Sequence, residues 1–383
     1  MRNRTIQGRA REIDVPIVGK VVKEYDDSDG VGTRLVAGRT ITGQQETTID
    51  AIISTEMYVA VKSRNKHQIP AVYDLHREDL PCLGDIVLID PSGKVMVLFF
   101  ANSEHNFLFA TNRCNCDCLM CSQPPTKVDD SQFLWDVNNV LINLLPQDLP
   151  FLGITGGEPT LLGSSLSELI QVVISSRPKT EIHLLTNGRA FSSAEYVAMF
   201  SQSVHKNVTL GIPLYSDYPP RHDYLVQASG AFDQTVLGIY NLASVGAPIE
   251  IRIVINRIVV PRLRMLSDFI CWYMPFVKHV ALMGMEVVGN AVANFEELWV
   301  DPKDYLGQLS DSVSVFHNHN IDCSIYNIPL CLLPCELRRL CKSSISEWKR
   351  SYTRTCDSCS SRAHCGGLFD SDVIHLKDEL HAL

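Results

Sequence analysis

The sequence predicts an α/β protein: a partial (β/α)6 barrel of the TIM type, preceded by a small β domain and followed by a cysteine-rich extension. Three observations predict it. Six short apolar runs alternate with amphipathic stretches in the middle of the chain, as parallel strands joined by crossover helices do. Before them, β-branched runs are parted by turn formers, the pattern of antiparallel hairpins. After them the chain is irregular and dense in cysteine.

Residues 1–105 form the β domain through the runs IVGKVVKEY, TRLVAGRTI, MYVAVKS, DIVLID and KVMVLFF, with turns at DDSDG and DPSGK. Residues 106–320 form the barrel. Its strands are NFLFAT, PFLGITGG, EIHLLTNG, VTLGIPLY, IEIRIVIN and HVALMGMEVVG; its helices include FLWDVNNVLINLL, SLSELIQVVISS, AFDQTVLGIYNLASVG and LRMLSDFICWYM. Six units are fewer than the eight that close a full barrel, and chemistry in such folds gathers at the C-terminal ends of the strands. Residues 321–383 hold a short strand at IDCSIYNI, a helical stretch around SISEWKRSY and closely spaced cysteines. So few apolar residues cannot make an independent core, which is where a metal staple serves.

The net charge of −9 argues against general nucleic-acid binding, because a phosphate-binding surface needs its own Lys and Arg. No apolar run reaches membrane-spanning length, and the segment MRNRTIQGRAREIDV has no apolar export region, so a cytoplasmic protein is expected. The cytosol keeps thiols reduced, so the 13 cysteines point to metal or cluster ligation rather than disulfides.

Cys114, Cys118 and Cys121 stand as C-x3-C-x2-C, with Cys116 between them. Three thiolates on one loop can ligate three irons of a cubane and leave the fourth open to a small ligand. Zinc is the other occupant of such a loop, with Cys116 completing a tetrahedron. The second strand ends in ITGGEPTL: Gly156 and Gly157 allow close approach of backbone to a ligand, and Glu158 offers a carboxylate to an ammonium, while an ordinary Gly-Gly loop gives the same string. Thr186-Asn187-Gly188 reads as a tight turn. Arg252 and Asn256 are polar residues in an apolar strand and share a face with position 254.

This order of motifs resembles the radical S-adenosylmethionine (radical SAM) superfamily. The resemblance implies that Cys114, Cys118 and Cys121 hold a [4Fe-4S] cluster whose open iron binds SAM, and that reductive cleavage of SAM gives a 5′-deoxyadenosyl radical. It further implies SAM contacts from Thr155, Gly156, Gly157, Glu158 and Pro159, from Ser216 at the ribose, and from Arg252 and Asn256, with Gly284 and Gly289 beside the adenine and Glu286 nearby. A reductant such as flavodoxin or ferredoxin is implied as a partner.

In the C-terminal part, Cys356-x2-Cys359-x5-Cys365-Gly366-Gly367 is compact, and one upstream thiolate completes four. Cys331 is the expected fourth, with Cys335, Cys341 and Cys323 as rivals; a structural zinc fits the same donors. The tail is similar to the auxiliary-cluster (SPASM or twitch) extensions of peptide-modifying radical SAM enzymes, which implies an auxiliary [4Fe-4S] cluster, although no cysteine follows Gly366-Gly367 as the full SPASM pattern requires. The phrases GDIVLIDPSGKV, CLMCSQPP with Asp129 and Asp130, YNIPLC, SISEWK and CGGLF resemble the maturase C component of the His-Xaa-Ser system. That likeness implies a precursor peptide with His-Xaa-Ser repeats as substrate and a companion radical SAM protein; an exposed sheet edge in the β domain is the expected docking place for the peptide. Two other functions fit parts of the pattern: a radical SAM enzyme acting on a nucleotide, RNA or small molecule, and a non-catalytic zinc-stapled binding protein.

Overall fold

The computed structural model describes residues 5–26, 32–41, 48–54, 69–346 and 349–383. The expected run MYVAVKS and most of the DDSDG turn lie outside the described residues. The chain divides into two compact units, one of residues 1–110, 130–153 and 172–180, the other of 111–129, 154–171 and 181–383.

In the first unit, β1 (Thr5–Gln7), β2 (Arg9–Arg11), β3 (Ile17–Asp26), β4 (Gly32–Thr40), β5 (Thr48–Ser54), β6 (Ala71–Tyr73), β7 (Ile86–Ile89) and β8 (Lys94–Phe99) form one sheet in the order β1-β8-β7-β3-β4-β5-β6-β2. The DPSGK turn forms as the sequence predicts: Asp90 Oδ1 accepts the Ser92 N–H at 2.7 Å, and Gly93 supplies the left-handed φ of 85° that closes the β7–β8 hairpin. One pairing departs from the antiparallel expectation, since β5 and β6 run parallel. The reason is the long connection between them, which a hairpin does not need and a parallel return does.

The same unit holds β9 (Phe107–Phe109) and α1 (Ser131–Leu144). Asn138 of α1 donates to the Phe109 carbonyl at 2.9 Å, and the buried Arg177 guanidinium donates to the carbonyls of Leu145 and Pro146, capping the C-terminal end of α1. Strand β10 (Phe151–Thr155) and helix α2 (Ser164–Ser176) contribute residues to both units.

In the second unit the elements run β11 (Glu181–Leu185), α3 (Ala194–Phe200), β12 (Val208–Pro213), α4 (Pro219–Val226), α5 (Ala231–Ser244), β13 (Ile249–Ile255), α6 (Leu263–Tyr273), β14 (His279–Gly284), α7 (Asn290–Ala293), α8 (Phe295–Leu298), α9 (Leu306–Asn318), β15 (Cys323–Tyr326), α10 (Cys335–Arg338) and β16 (Cys341–Lys342). Strands β11 to β16 lie side by side in chain order, every neighbouring pair parallel. Their order never reverses, which separates this winding from a doubly wound sheet and matches that of a barrel segment. All six strands expected for the barrel form, and IDCSIYNI forms β15, paired with β14.

Strand periodicity divides the two faces of this sheet. Ile182, Leu184, Leu210, Ile212, Ile251, Ile253, Val280, Leu282 and Ile325 are buried on one face, each stabilising by roughly 1.5–3 kcal/mol. His183, Glu250, Arg252, His279, Met283, Ser324 and Tyr326 share the other, as the register of paired residues requires. The helix expected around SISEWKRSY is not what forms at its end: Arg350–Ser351 is a strand, β17, antiparallel to β18 (Leu368–Phe369). The β-branched and aromatic neighbours there satisfy their backbone across the chain instead of along it.

Candidate functional site

The loop that carries Cys114, Cys116, Cys118 and Cys121, residues 111–129, is fixed largely through main-chain atoms. Asp117 and Leu119 donate their N–H groups to the carbonyls of Val226 and Leu225 at the end of α4, at 3.1 and 2.9 Å. Asn290 donates its N–H to the Cys121 carbonyl and its side-chain amide to the Cys118 carbonyl, while Asn294 reaches the Leu119 carbonyl. Gly289, expected beside an adenine, lies against this loop instead: a Cβ there would stand 2.4 Å from the Cys121 carbonyl oxygen, and its φ is 60°. Gly284 is likewise committed, its missing Cβ making room for the Asn327 carbonyl.

The segment Gly156-Gly157-Glu158 is hydrogen-bonded onto the start of the same loop. Gly157 donates to the Thr111 carbonyl at 2.6 Å and Glu158 to the Arg113 carbonyl at 2.8 Å. A Cβ on Gly157 would lie 2.1 Å from the Arg113 carbonyl oxygen, so only glycine allows this approach. Gly156 holds a φ of 150°, Thr155 ends β10, and Pro159 opens the short turn Pro159–Leu162 that follows. The two motifs that the sequence sets apart by a strand and a helix therefore meet within three residues of Cys114.

The Glu158 carboxylate is 1% exposed and acts as a clamp. Its Oε1 accepts from the Thr160 N–H, the Thr160 hydroxyl and the Thr186 hydroxyl, at 3.0, 2.7 and 2.6 Å, and its Oε2 accepts from the Asn187 N–H at 2.7 Å. Burial pushes the carboxyl upward, and these four donors oppose that rise. The turn after β11 in its turn grips the cysteine loop. Asn187 donates its side-chain amide to Asn115 Oδ1 at 2.6 Å, and Arg189 donates to the Asn115 carbonyl at 2.5 Å. Sequence reasoning read this segment only as a turn and missed Asn187 and Arg189; polar residues at the C-terminal end of a barrel strand were the signal.

Cys114, Cys118 and Cys121 are half-buried on the loop, and Cys116 is buried. Hydrogen bonding to Cys116 and burial raise the Cys114 and Cys118 thiols, and burial raises Cys121, while Cys116 is lowered as their shared acceptor and by Arg189. Crowded thiols without a cation repel each other's thiolates, and a bound cationic centre reverses that cost. The donor set thus suits an iron-sulfur group in its chemistry, three half-buried thiols on one short loop whose backbone is held by its neighbours. Among the described residues no three His, Cys, Asp or Glu side chains are arranged around a single-ion site.

The other residues expected to contact SAM make hydrogen bonds within the fold. Ser216 is fully buried and its Oγ accepts the Tyr218 N–H; Asn256 is fully buried, accepting from the N–H groups of Ile258 and Val259 and donating to the Val254 carbonyl. Both shape the turns that follow their strands. Glu286 pairs with Lys349 at 2.9 Å. Arg252 is half-buried on the polar face of the sheet, donating to Glu250 Oε1 at 2.7 Å and to Met283 Sδ at 3.2 Å. Glu250 also meets His279 at 2.9 Å, and His279 meets Ser324. Burial alone would raise the Glu250 carboxyl, but His183, His279 and Arg252 together hold it well below the usual range.

Cys331, Cys356, Cys359 and Cys365 all line one cleft, together with Tyr352 and Arg362. Arg362 stacks on the Tyr352 ring at 4.9 Å. Of the rivals to Cys331, Cys335 is exposed beside Glu336, and Cys323 and Cys341 sit in β15 and β16; none of the three lines this cleft. Burial raises the Cys331 thiol, whereas the Leu383 and Ser361 N–H groups hold Cys359 low. Four thiols with this environment fit a closed cluster.

No family model matches the chain, and no curated protein matches it. Among solved structures it is similar to Streptococcus suis SuiB bound to S-adenosylmethionine, at 13% identity and a TM-score of 0.43 over 57% of this chain and 46% of that one. It is similar to anSMEcpe with bound AdoMet and the Cp18Cys peptide, at 16% identity and 0.45 over 57% and 62%. A radical SAM methyltransferase from Sphaerobacter thermophilus matches at 10% identity and 0.38 over 81% and 77%. The chain spans less than two thirds of the length of the first two.

Proposed function

We propose that the protein is a radical SAM enzyme that modifies a ribosomally made peptide. The observation that carries this reading is the direct backbone pairing of Gly157 and Glu158 with Thr111 and Arg113, which sets the GGE segment against the C-x3-C-x2-C loop. In this reading Cys114, Cys118 and Cys121 hold the SAM-binding [4Fe-4S] cluster, and Thr155 to Pro159 border the methionine end of SAM. Arg252, with guanidinium N–H groups beyond those used by Glu250 and Met283, takes a carboxylate. The chemistry the bound groups supply is one-electron reductive cleavage of SAM to a hydrogen-abstracting radical. The chain's own work is to fix the loop, keep the turn at Asn187 pressed onto it and shield the thiols from water.

Cys331, Cys356, Cys359 and Cys365 hold an auxiliary [4Fe-4S] cluster in the C-terminal module of residues 321–383. Residues 1–105 dock the peptide by adding a strand at an end of the β1-to-β2 sheet. The peptide carries His-Xaa-Ser repeats, and a companion radical SAM protein and a flavodoxin or ferredoxin reductant act with the enzyme in the cytoplasm. Among the described residues no helix is long and apolar enough to cross a membrane.

The test is metal content and EPR of anaerobically reconstituted protein, with and without SAM. About eight irons per chain, falling to about four in Cys114→Ala/Cys118→Ala/Cys121→Ala, with a SAM-dependent change only in the wild type, is the expected result. Zinc without iron refutes the enzyme reading. Slower amide exchange in β1 or β2 on adding the precursor peptide checks the docking edge; unchanged exchange at both edges despite binding refutes it.

A further inference from the structure

Four thiols lie within Cys114–Cys121, yet an open cluster uses three. A fourth thiolate on the remaining iron would close it, as in electron-transfer clusters with four cysteines. The Cys116 N–H donates to Cys114 Sγ at 3.4 Å, and Cys116 stands two residues from both Cys114 and Cys118, so it is near enough to compete. Something in the fold has to hold it back.

The structure shows what occupies the Cys116 sulfur. Arg189 Nη1 donates to Cys116 Sγ at 3.3 Å, and Asn187 Nδ2 donates to it at 3.6 Å. The same two nitrogens also bond the loop at Asn115, and both residues are tied to groups beyond it. Arg189 Nε donates to Gln234 Oε1 of α5 at 2.7 Å, while the Asn187 N–H is held by Glu158 and its Oδ1 accepts the Arg189 N–H at 3.0 Å. Cys116 is also the most enclosed of the four, at 6% exposure. Its sulfur accepts from the β11–α3 turn, through a charged guanidinium that is itself anchored by one bond from Nε to Gln234.

We infer that Arg189, assisted by Asn187, is a positioning residue that keeps Cys116 out of the ligand set, so that the fourth iron stays open. The inference rests on the radical SAM reading above. Released from Arg189, the Cys116 sulfur would be free to take the fourth coordination position in place of the ligand that SAM would supply; its S–H proton would pass to solvent as the iron–sulfur bond forms, and no electron is transferred.

The test compares wild type, Cys116→Ala, Arg189→Gln, Arg189→Lys and the double variant Arg189→Gln/Cys116→Ala, each reconstituted anaerobically and checked for folding by circular dichroism. Iron per chain and the EPR spectrum before and after SAM are measured. Cys116→Ala is expected to keep wild-type iron and the SAM-dependent change. Arg189→Gln is expected to keep the iron and lose the SAM-dependent change, the double variant to regain it, and Arg189→Lys to retain it. Restoration on deleting a thiol is a result that a merely structural role for Arg189 does not give. The inference is overturned if Arg189→Gln responds to SAM as wild type does, if the double variant stays unresponsive, or if Cys116→Ala loses the iron of the first cluster. Wild-type protein that takes up no iron overturns the functional reading, and this inference with it.

Discussion

Replacing Glu158 by Gln tests the clamp that joins the two strand ends. A carboxylate accepts on both oxygens, whereas an amide accepts on one and donates from the other. With the new NH2 at the Oε2 position, the Asn187 backbone N–H loses its acceptor. With the NH2 at Oε1, the Thr186 and Thr160 hydroxyls can rotate to accept, but the Thr160 backbone N–H cannot. One buried backbone donor is orphaned in either orientation. Hydrogen bonds to a charged group contribute about 1.5–3 kcal/mol, so local opening at that amide should become easier by one to two orders of magnitude. Hydrogen exchange followed by mass spectrometry on cluster-free protein is the assay. Peptides covering Thr160 and Asn187 are compared with one from the core of β13. Faster exchange in at least one of the first two, with β13 unchanged, is expected. Wild-type protection at both amides would refute the claim that this carboxylate holds the turn.

Gly157→Ala forces a methyl into the Arg113 carbonyl, which costs about 1–3 kcal/mol or more and displaces the loop, so iron per chain after reconstitution should fall relative to wild type. In the C-terminal cleft, Cys356→Ser should lose roughly four irons while Cys335→Ser keeps them, and equal iron in both variants contradicts the assignment. Burial lifts the Asp372 carboxyl to about 6 although the Val287 N–H opposes it, so the stability this group contributes is full below about pH 4 and is lost as pH rises through 6. Asp372→Asn keeps that acceptor and removes the titration, so it should unfold at higher urea than wild type at pH 8 by up to about 3 kcal/mol, with the advantage shrinking toward pH 4.

Much of the parallel sheet was legible because its strands are buried on one face and crossed by helices of regular period, and both signals are local. The N-terminal sheet was less so. β5 has the run Ala51-Ile52-Ile53, but β1, β2 and β6 are three residues long, and no periodicity resolves over three positions. At the site, cysteine spacing and the Gly-Gly-Glu string were readable because both motifs are contiguous. Ser216 and Asn256 are buried and bonded to the turns after their strands, a use of a strand-end polar residue that the sequence alone does not separate from ligand binding. The Glu250, His183 and His279 contacts come from three strands far apart in the chain, and the Asn187–Arg189 grip on Cys116 spans about seventy residues. Such pairings depend on register, which sequence periodicity does not state.

The manner in which the cysteine loop is moored has a consequence for how this chain can change over time. Its tethers run from the carbonyls of Thr111, Arg113, Cys118, Leu119 and Cys121 and from the amides of Asp117 and Leu119. Every residue type except proline provides both groups, so these tethers do not depend on side-chain identity, whereas Asn115 and Asp117 add side-chain acceptors of their own. Exposed side chains of the loop such as Gln123 and Lys127 can drift while the frame stays put. The partners do not share that liberty: Gly157, Gly289, Asn290 and Asn294 each serve by the absence of a side chain or by a specific amide, and variation should be scarce there.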